Sequence, residues 1–231
     1  MKGRIALIHH PVGKRDDRAS QMLATRGYAV EWFCPGKGDA LPVDATPYVA
    51  TVVYGGAENL SEVGAESYLH DEIDWIKRWV ESERPFLGIC LGAQLLAQAF
   101  GGRVAPHPEG LHEIGYYPVA PVAGAEDFLP APLHVYHWHK EGFEAPPGSE
   151  LLATGQTFAH QAFRFGSRAF GIQFHPEVSP EVFARWISNA GHMLASPGAH
   201  SAERQARDSA RYDAPLRAWL ESFLDRWLDG A

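Results

Sequence analysis

The chain has 231 residues, 45% of them hydrophobic, which is enough to close a sizeable core in one domain. Its net charge of −8 at pH 7, without a long basic run, argues against nucleic acid or an anionic membrane as partner. Only two cysteines are present, Cys34 and Cys90, which excludes a disulfide framework and points to a reducing compartment.

In chain order, the first ten residues hold too short an apolar run for a signal peptide or a membrane span, so a cytoplasmic location is expected. Residues 4–9 read instead as a first buried strand. Asp17 to Arg26 forms a modest helix ended by Gly27, and Tyr28 to Phe33 alternates as a second strand. The Gly13-Lys14 pair lacks the glycine-rich lead and the following Ser or Thr of a phosphate loop. Tyr48 to Tyr54 is a third strand that delivers Gly55-Gly56-Ala57 at its carboxyl end, where ligands bind in open parallel sheets. Glu66 to Ser82 reads as an amphipathic helix.

Pro85 to Ile89 is a short apolar strand. Cys90 follows, and Leu91 to Phe100 is an alanine- and leucine-rich helix closed by Gly101-Gly102. A strand that becomes a helix at one small residue, flanked by Gly88 and Gly92, has the layout of a nucleophile elbow. The helix N-terminus favours a thiolate at Cys90. The competing reading is a small buried hydrophobe.

Beyond the elbow, Arg103 to Ala105 and Glu113 to Val119 suggest a hairpin around a His-Pro-rich loop. Leu133 to Trp138 is a further strand, running into His139-Lys140-Glu141. His134, His137 and His139 invite a metal, but no carboxylate or cysteine stands at ligand spacing, so neither metal nor cofactor is expected. Gly148 to Thr154 and Phe158 to Phe165 are strands. Phe170 to Phe174 is another, and it ends in His175-Pro176-Glu177. A histidine there can serve a cysteine as base and acid, with a carboxylate past the stiff proline holding its working tautomer. Ser179 to Leu194 is a helix that starts Ser179-Pro180-Glu181. Ser196 to Arg207 is small and polar, and Pro215 is expected to open a last helix. Its stripe of Leu216, Trp219, Leu220, Phe223, Leu224, Trp227 and Leu228 either packs back on the domain or docks on a partner or second copy. Residues 1–195 are therefore expected as one domain, with 196–231 as an extension packed on it.

Two motifs carry a family resemblance. Gly88-Ile89-Cys90-Leu91-Gly92-Ala93-Gln94 and His175-Pro176-Glu177 stand in the order and at about the spacing of the class I glutamine amidotransferases, and the likeness spans roughly residues 45 to 190. The chain resembles in particular the glutaminase domain of GMP synthetase. That resemblance implies an α/β fold with an open, mostly parallel sheet flanked by helices, flavodoxin-like or Rossmann-like. It implies Cys90, His175 and Glu177 as the catalytic triad, with the N–H groups of Gly56 and Leu91 as oxyanion donors. It also implies Gly55, Gln94, Trp138 and His139 as contacts for glutamine. Two features depart from the family: Ala57 stands where proline is frequent, and Lys140-Glu141 replaces the usual small residue and aspartate.

The expected activity is hydrolysis of the glutamine side-chain amide, with ammonia passed to a synthetase partner. No pyrophosphatase-type ATP loop is present, so the domain reads as free-standing, with a homodimer as a further possibility. A γ-glutamyl hydrolase, or a regulatory module with a dormant site, are the alternatives; relatives of the intracellular proteases rank lower because they usually lack a late His-Pro-Glu.

Overall fold

The computed structural model of the protein describes residues 2–64 and 67–229. It follows the expected alternation in its first half: β1 (Arg4–Ile8), α1 (Arg18–Thr25), β2 (Ala29–Phe33), β3 (Ala50–Val53), α2 (Tyr68–Glu81), β4 (Phe86–Ile89) and α3 (Leu91–Ala99). Glu66, the expected start of the second helix, lies outside the described residues. The second half holds β5 (Val104–Pro106), β6 (Glu113–Pro121), β7 (Leu133–His139), β8 (Glu141–Phe143), β9 (Glu150–Thr154), β10 (His160–Phe165) and β11 (Ala169–Ile172). It closes with α4 (Pro180–Ala190) and α5 (Ala202–Leu228). Side-chain caps set the helix starts: Asp17 accepts from Ser20 N, Ser67 from Leu69 N, Ser179 from Val182 N and Ser201 from Arg204 N.

Nine strands form one sheet in the order β2-β1-β3-β4-β11-β10-β9-β6-β7. The first five are parallel, and β10, β9, β6 and β7 continue it antiparallel. Alternation along the parallel strands builds two apolar layers. Ile5, Leu7, Val52, Leu87 and Ile89 pack with α1, α4 and α5, whereas Ala6, Ile8, Val53 and Phe86 pack with α2 and α3. This is the expected open, mostly parallel α/β sheet. Among the described residues, no helix is long and apolar enough to cross a membrane.

Two expectations are corrected. The strands at 103–105 and 113–119 do not form a hairpin: β5 pairs with β8 in a separate two-stranded sheet, and β6 pairs with β7. The last helix does not open at Pro215 either. It begins thirteen residues earlier, at Ala202, and carries Pro215 in its interior. Pro215 removes the N–H that would reach the Arg211 carbonyl, but both residues are exposed, so water can satisfy that carbonyl. All seven apolar residues of the stripe are buried in the same core layer as the sheet, and Trp219 Nε1 donates to the Phe128 carbonyl at 2.9 Å.

Candidate active site

The parallel pair β4 and β11 brings the two sequence motifs together. Both strands end at the same sheet edge, in register through Ile89 and Ile172, and Cys90 N donates onward to the Ile172 carbonyl at 2.8 Å. Cys90 is forced to φ 51° and ψ −106°, a conformation that costs a non-glycine residue about 1–3 kcal/mol. The strain thus falls on the cysteine. Gly88 and Gly92 serve close approach: a Cβ on Gly88 would lie 2.5 Å from the Gly92 carbonyl oxygen, and one on Gly92 would strike the Val53 carbonyl.

His175 leaves the end of β11 with its N–H donating to the Tyr136 carbonyl at 2.8 Å, which ties it to β7. Its Nδ1 lies 2.8 Å from Glu177 Oε1, both groups being almost fully buried. Nδ1–H therefore donates to the carboxylate, and Nε2, which has no other partner, is left for the sulfur. Burial opposes a charged imidazole here, but Glu177 and then Cys90 outweigh it and raise the pKa to about 10. Trp186 of α4 meets the ring edge-on at 5.0 Å.

Gly55 sits against both groups, since a Cβ there would lie 2.8 Å from His175 Cε1 and 3.5 Å from Cys90 Cβ. Gly56 packs against the start of α3, where a Cβ would lie 2.6 Å from Leu91 Cδ2. Leu91 is the first residue of α3, so its N–H has no partner inside the helix. The arrangement can therefore hold a negatively charged oxygen beside Cys90.

The remaining expected contacts are less direct. Gln94 is buried and donates to the Glu141 carbonyl at 2.9 Å and to Gln173 Oε1 at 3.3 Å. Gln173 in turn points its amide at Cys90 Sγ, 3.6 Å away. Gln173 is not among the residues expected from the sequence, although a glutamine inside the apolar run of residues 170–174 is the available signal. Trp138 is half-buried and reaches His175 only through Trp186, 5.9 Å from it. His139 is buried on the opposite face of β7, with Nδ1 2.9 Å from the Glu141 carbonyl. The Glu141 carboxylate, whose role the sequence leaves open, binds Ser61 through both N–H and hydroxyl and so pins the 60–62 turn to β8.

His137 and His139 do have a carboxylate partner, contrary to the sequence reading. Glu113 is paired with His139 across β6 and β7, and its Oε2 lies 3.1 Å from His139 Nε2 and 3.5 Å from His137 Nδ1. Among the described residues these three are the group whose ligand atoms converge. Burial pushes the Glu113 carboxyl up, but His137 and then His139 outweigh it and hold it at about 2. Burial drives the His137 pKa down to about 3, against the pull of Glu113. His139 Nδ1 faces the Glu141 carbonyl, and its Nε2 lies 3.1 Å from both Glu113 Oε2 and His137 Nδ1, which closes the group into one buried polar cluster. His134 lies apart, stacked on Tyr212 of α5 at 4.0 Å. A surface cleft of about 630 Å³ between α1, α4 and α5 contains neither Cys90 nor His175.

This geometry can be set beside known proteins. The profile of a family described as glutamine amidotransferase class-I matches residues 21–192. A glutamine amidotransferase-like protein of Salmonella typhimurium, YfeJ, is 32% identical over 216 residues, covering 88% of this chain and 87% of that one. A glutamine-hydrolysing GMP synthase subunit from Thermococcus kodakarensis is 32% identical over 130 residues, or 55% of this chain and 66% of its own. The crystal structure of a glutamine amidotransferase from Methylobacillus flagellatus superposes with a TM-score of 0.90 at 26% identity, covering 98% of this chain and 94% of that one. The profile match alone spans well over half of the chain, and it includes the elbow and the His-Pro-Glu motif: the chain belongs to the class-I glutamine amidotransferase family.

Proposed function

We propose that the protein hydrolyses the side-chain amide of glutamine to glutamate and ammonia through a thioester on Cys90. The observation that carries this reading is the meeting of Cys90, strained at the tip of β4, with the His175–Glu177 pair at the end of the adjoining parallel strand. The Cys90 thiolate attacks the carboxamide carbon, and the oxyanion settles against the N–H groups of Gly56 and Leu91. His175, doubly protonated beside Glu177, gives its Nε2 proton to the departing ammonia. The neutral imidazole then takes a proton from water, whose oxygen attacks the thioester. Glutamate leaves, the thiolate returns, and His175 is again charged. Gln173 steadies the sulfur, and Gln94 and His139 support the pocket wall through the Glu141 carbonyl.

Ammonia is a poor product to release into water, where it is protonated near neutral pH. The similarity to a glutamine-hydrolysing GMP synthase subunit supports a handover to a separate synthetase. Ammonia release from glutamine by the purified chain, with Cys90→Ala as control, tests the proposal. Wild-type turnover that Cys90→Ala abolishes is the expected result; equal rates in both would sink it.

A further inference from the structure

One buried ion pair next to the site takes no part in that scheme. His10 and Glu72 are both fully buried, and His10 Nε2 lies 3.3 Å from Glu72 Oε1 of α2. The other ring nitrogen, Nδ1, lies 3.1 Å from the carbonyl oxygen of Gly55. The Gly55 oxygen is an acceptor, so Nδ1 carries a proton toward it, and a second proton on Nε2 faces the Glu72 carboxylate at ion-pair distance without forming a hydrogen bond. Burial would expel that second proton, but Glu72 and then Glu58 outweigh it and raise the His10 pKa.

The carbonyl that His10 holds belongs to the peptide unit that also contains the Gly56 N–H. That unit is planar and trans, so its C=O and N–H point to opposite sides, and fixing one direction fixes the other. Two glycines give the loop wide freedom in φ and ψ, and without an anchor the plane can rotate. Packing crowds Gly56 where a Cβ would lie, against Leu91 Cδ2, a Glu58 carboxylate oxygen and, at 2.9 Å, His10 Cβ. Glu58, held by the Tyr68 hydroxyl at 2.6 Å, thus sets a carboxylate beside the same glycine. An amide turned toward Glu58 would be lost to the substrate.

We propose that His10, paired with Glu72, is a positioning residue that locks the Gly55–Gly56 peptide with its N–H facing Cys90. The inference rests on the reading of Gly56 N–H as an oxyanion donor. Its sequence signal is slight, a His-His pair just past β1, and the contact exists because Tyr54 N bonds the Ile8 carbonyl and carries the β1–β3 ladder up to Gly55.

Two amide substitutions separate the ring nitrogens. His10→Asn places an N–H near the Nδ1 position and keeps the Gly55 contact, whereas His10→Gln places it near Nε2 and loses that contact. Removing an oxyanion donor costs about 10²–10³ in kcat, so misaligning one in His10→Gln or His10→Leu should cost about 10- to 100-fold. KM for glutamine and the rate of Cys90 alkylation by iodoacetamide should stay near wild type, and His10→Asn should recover most of kcat. Crystal structures of the variants should show the Gly55 carbonyl turned in His10→Gln and in place in His10→Asn. A His10→Gln enzyme as active as His10→Asn would overturn the inference. Should the wild-type chain release no ammonia, the glutaminase reading falls separately. The crystal structures still decide the lock, and an unmoved Gly55 carbonyl in His10→Gln overturns it.

Discussion

Asp17 offers a test of how the triad's surroundings are built. It caps α1 through Oδ1, which accepts from Ser20 N at 2.8 Å and from the Tyr54 hydroxyl at 3.1 Å, while Oδ2 is buried with no partner. Burial raises its pKa to about 6; the Ser20 bonds oppose this, and the nearby Glu177 charge adds to it. A carboxyl with a raised folded-state pKa binds more protons folded than unfolded between about pH 4 and 6, so its contribution to stability falls as pH rises through that window. A shift from 3.8 to about 6 corresponds to about 3 kcal/mol lost by pH 7. Asp17→Asn keeps a good capping side chain and removes the buried charge. Urea unfolding of the two proteins at several pH values should give equal stability near pH 4 and a gap opening to about 3 kcal/mol in favour of the variant by pH 7. A variant less stable than wild type at pH 7, or a gap independent of pH, would refute the reasoning.

Three further outcomes follow from the packing and the chemistry. His175→Ala should lower ammonia release by about 10²–10⁴-fold, and Glu177→Gln by less, because the first removes the proton carrier and the second only misaligns it; wild-type rates in both would mean that another base serves Cys90. Gly92→Ala drives a Cβ into the Val53 carbonyl and should cost about 1–3 kcal/mol in thermal or urea unfolding, whereas an unchanged midpoint would contradict the tight strand–helix contact. Deleting residues 215–231 removes seven large apolar side chains from the core, each contributing about 1.5–3 kcal/mol, and should abolish cooperative unfolding. A full-length dimer that Trp219→Asp with Trp227→Asp dissociates, with its fold intact, would overturn that assignment.

The parallel half of the fold is legible because its strands are short apolar runs and its helices are amphipathic, both local signals. The pairing of β5 with β8 is hidden: each strand has three residues, and they lie more than thirty residues apart. The start of α5 is hidden for another reason. Its first turns face inward with Gln205 and Ser209 in place of apolar side chains, Gln205 being held by the Tyr136 hydroxyl at 2.9 Å and the His200 carbonyl at 2.8 Å. Polar residues on the buried face erase the periodicity, and Pro215 then looks like a beginning.

Within the candidate site, the residues that stand in contiguous motifs are readable, and those that reach it across strands are not. Glu113 escapes notice as a partner for His137 and His139 because ligand spacing along the chain does not reveal it, while the register of β6 on β7 supplies it from the neighbouring strand. Gln173 and His10 stay silent in the sequence because each carries its meaning only through what the fold places beside it, a sulfur in one case and a glycine carbonyl in the other.

The central claim is that Cys90, activated by His175 and Glu177, is the nucleophile toward a glutamine amide. Treatment with an electrophilic glutamine analogue followed by peptide mass mapping tests it most directly. Cys34 is a built-in control, since it is buried and burial raises its thiol pKa. The account predicts one adduct, on the peptide that contains Cys90, slowed by added glutamine and absent from His175→Ala. An adduct on Cys34, or labelling of Cys90 that glutamine does not slow, would contradict it.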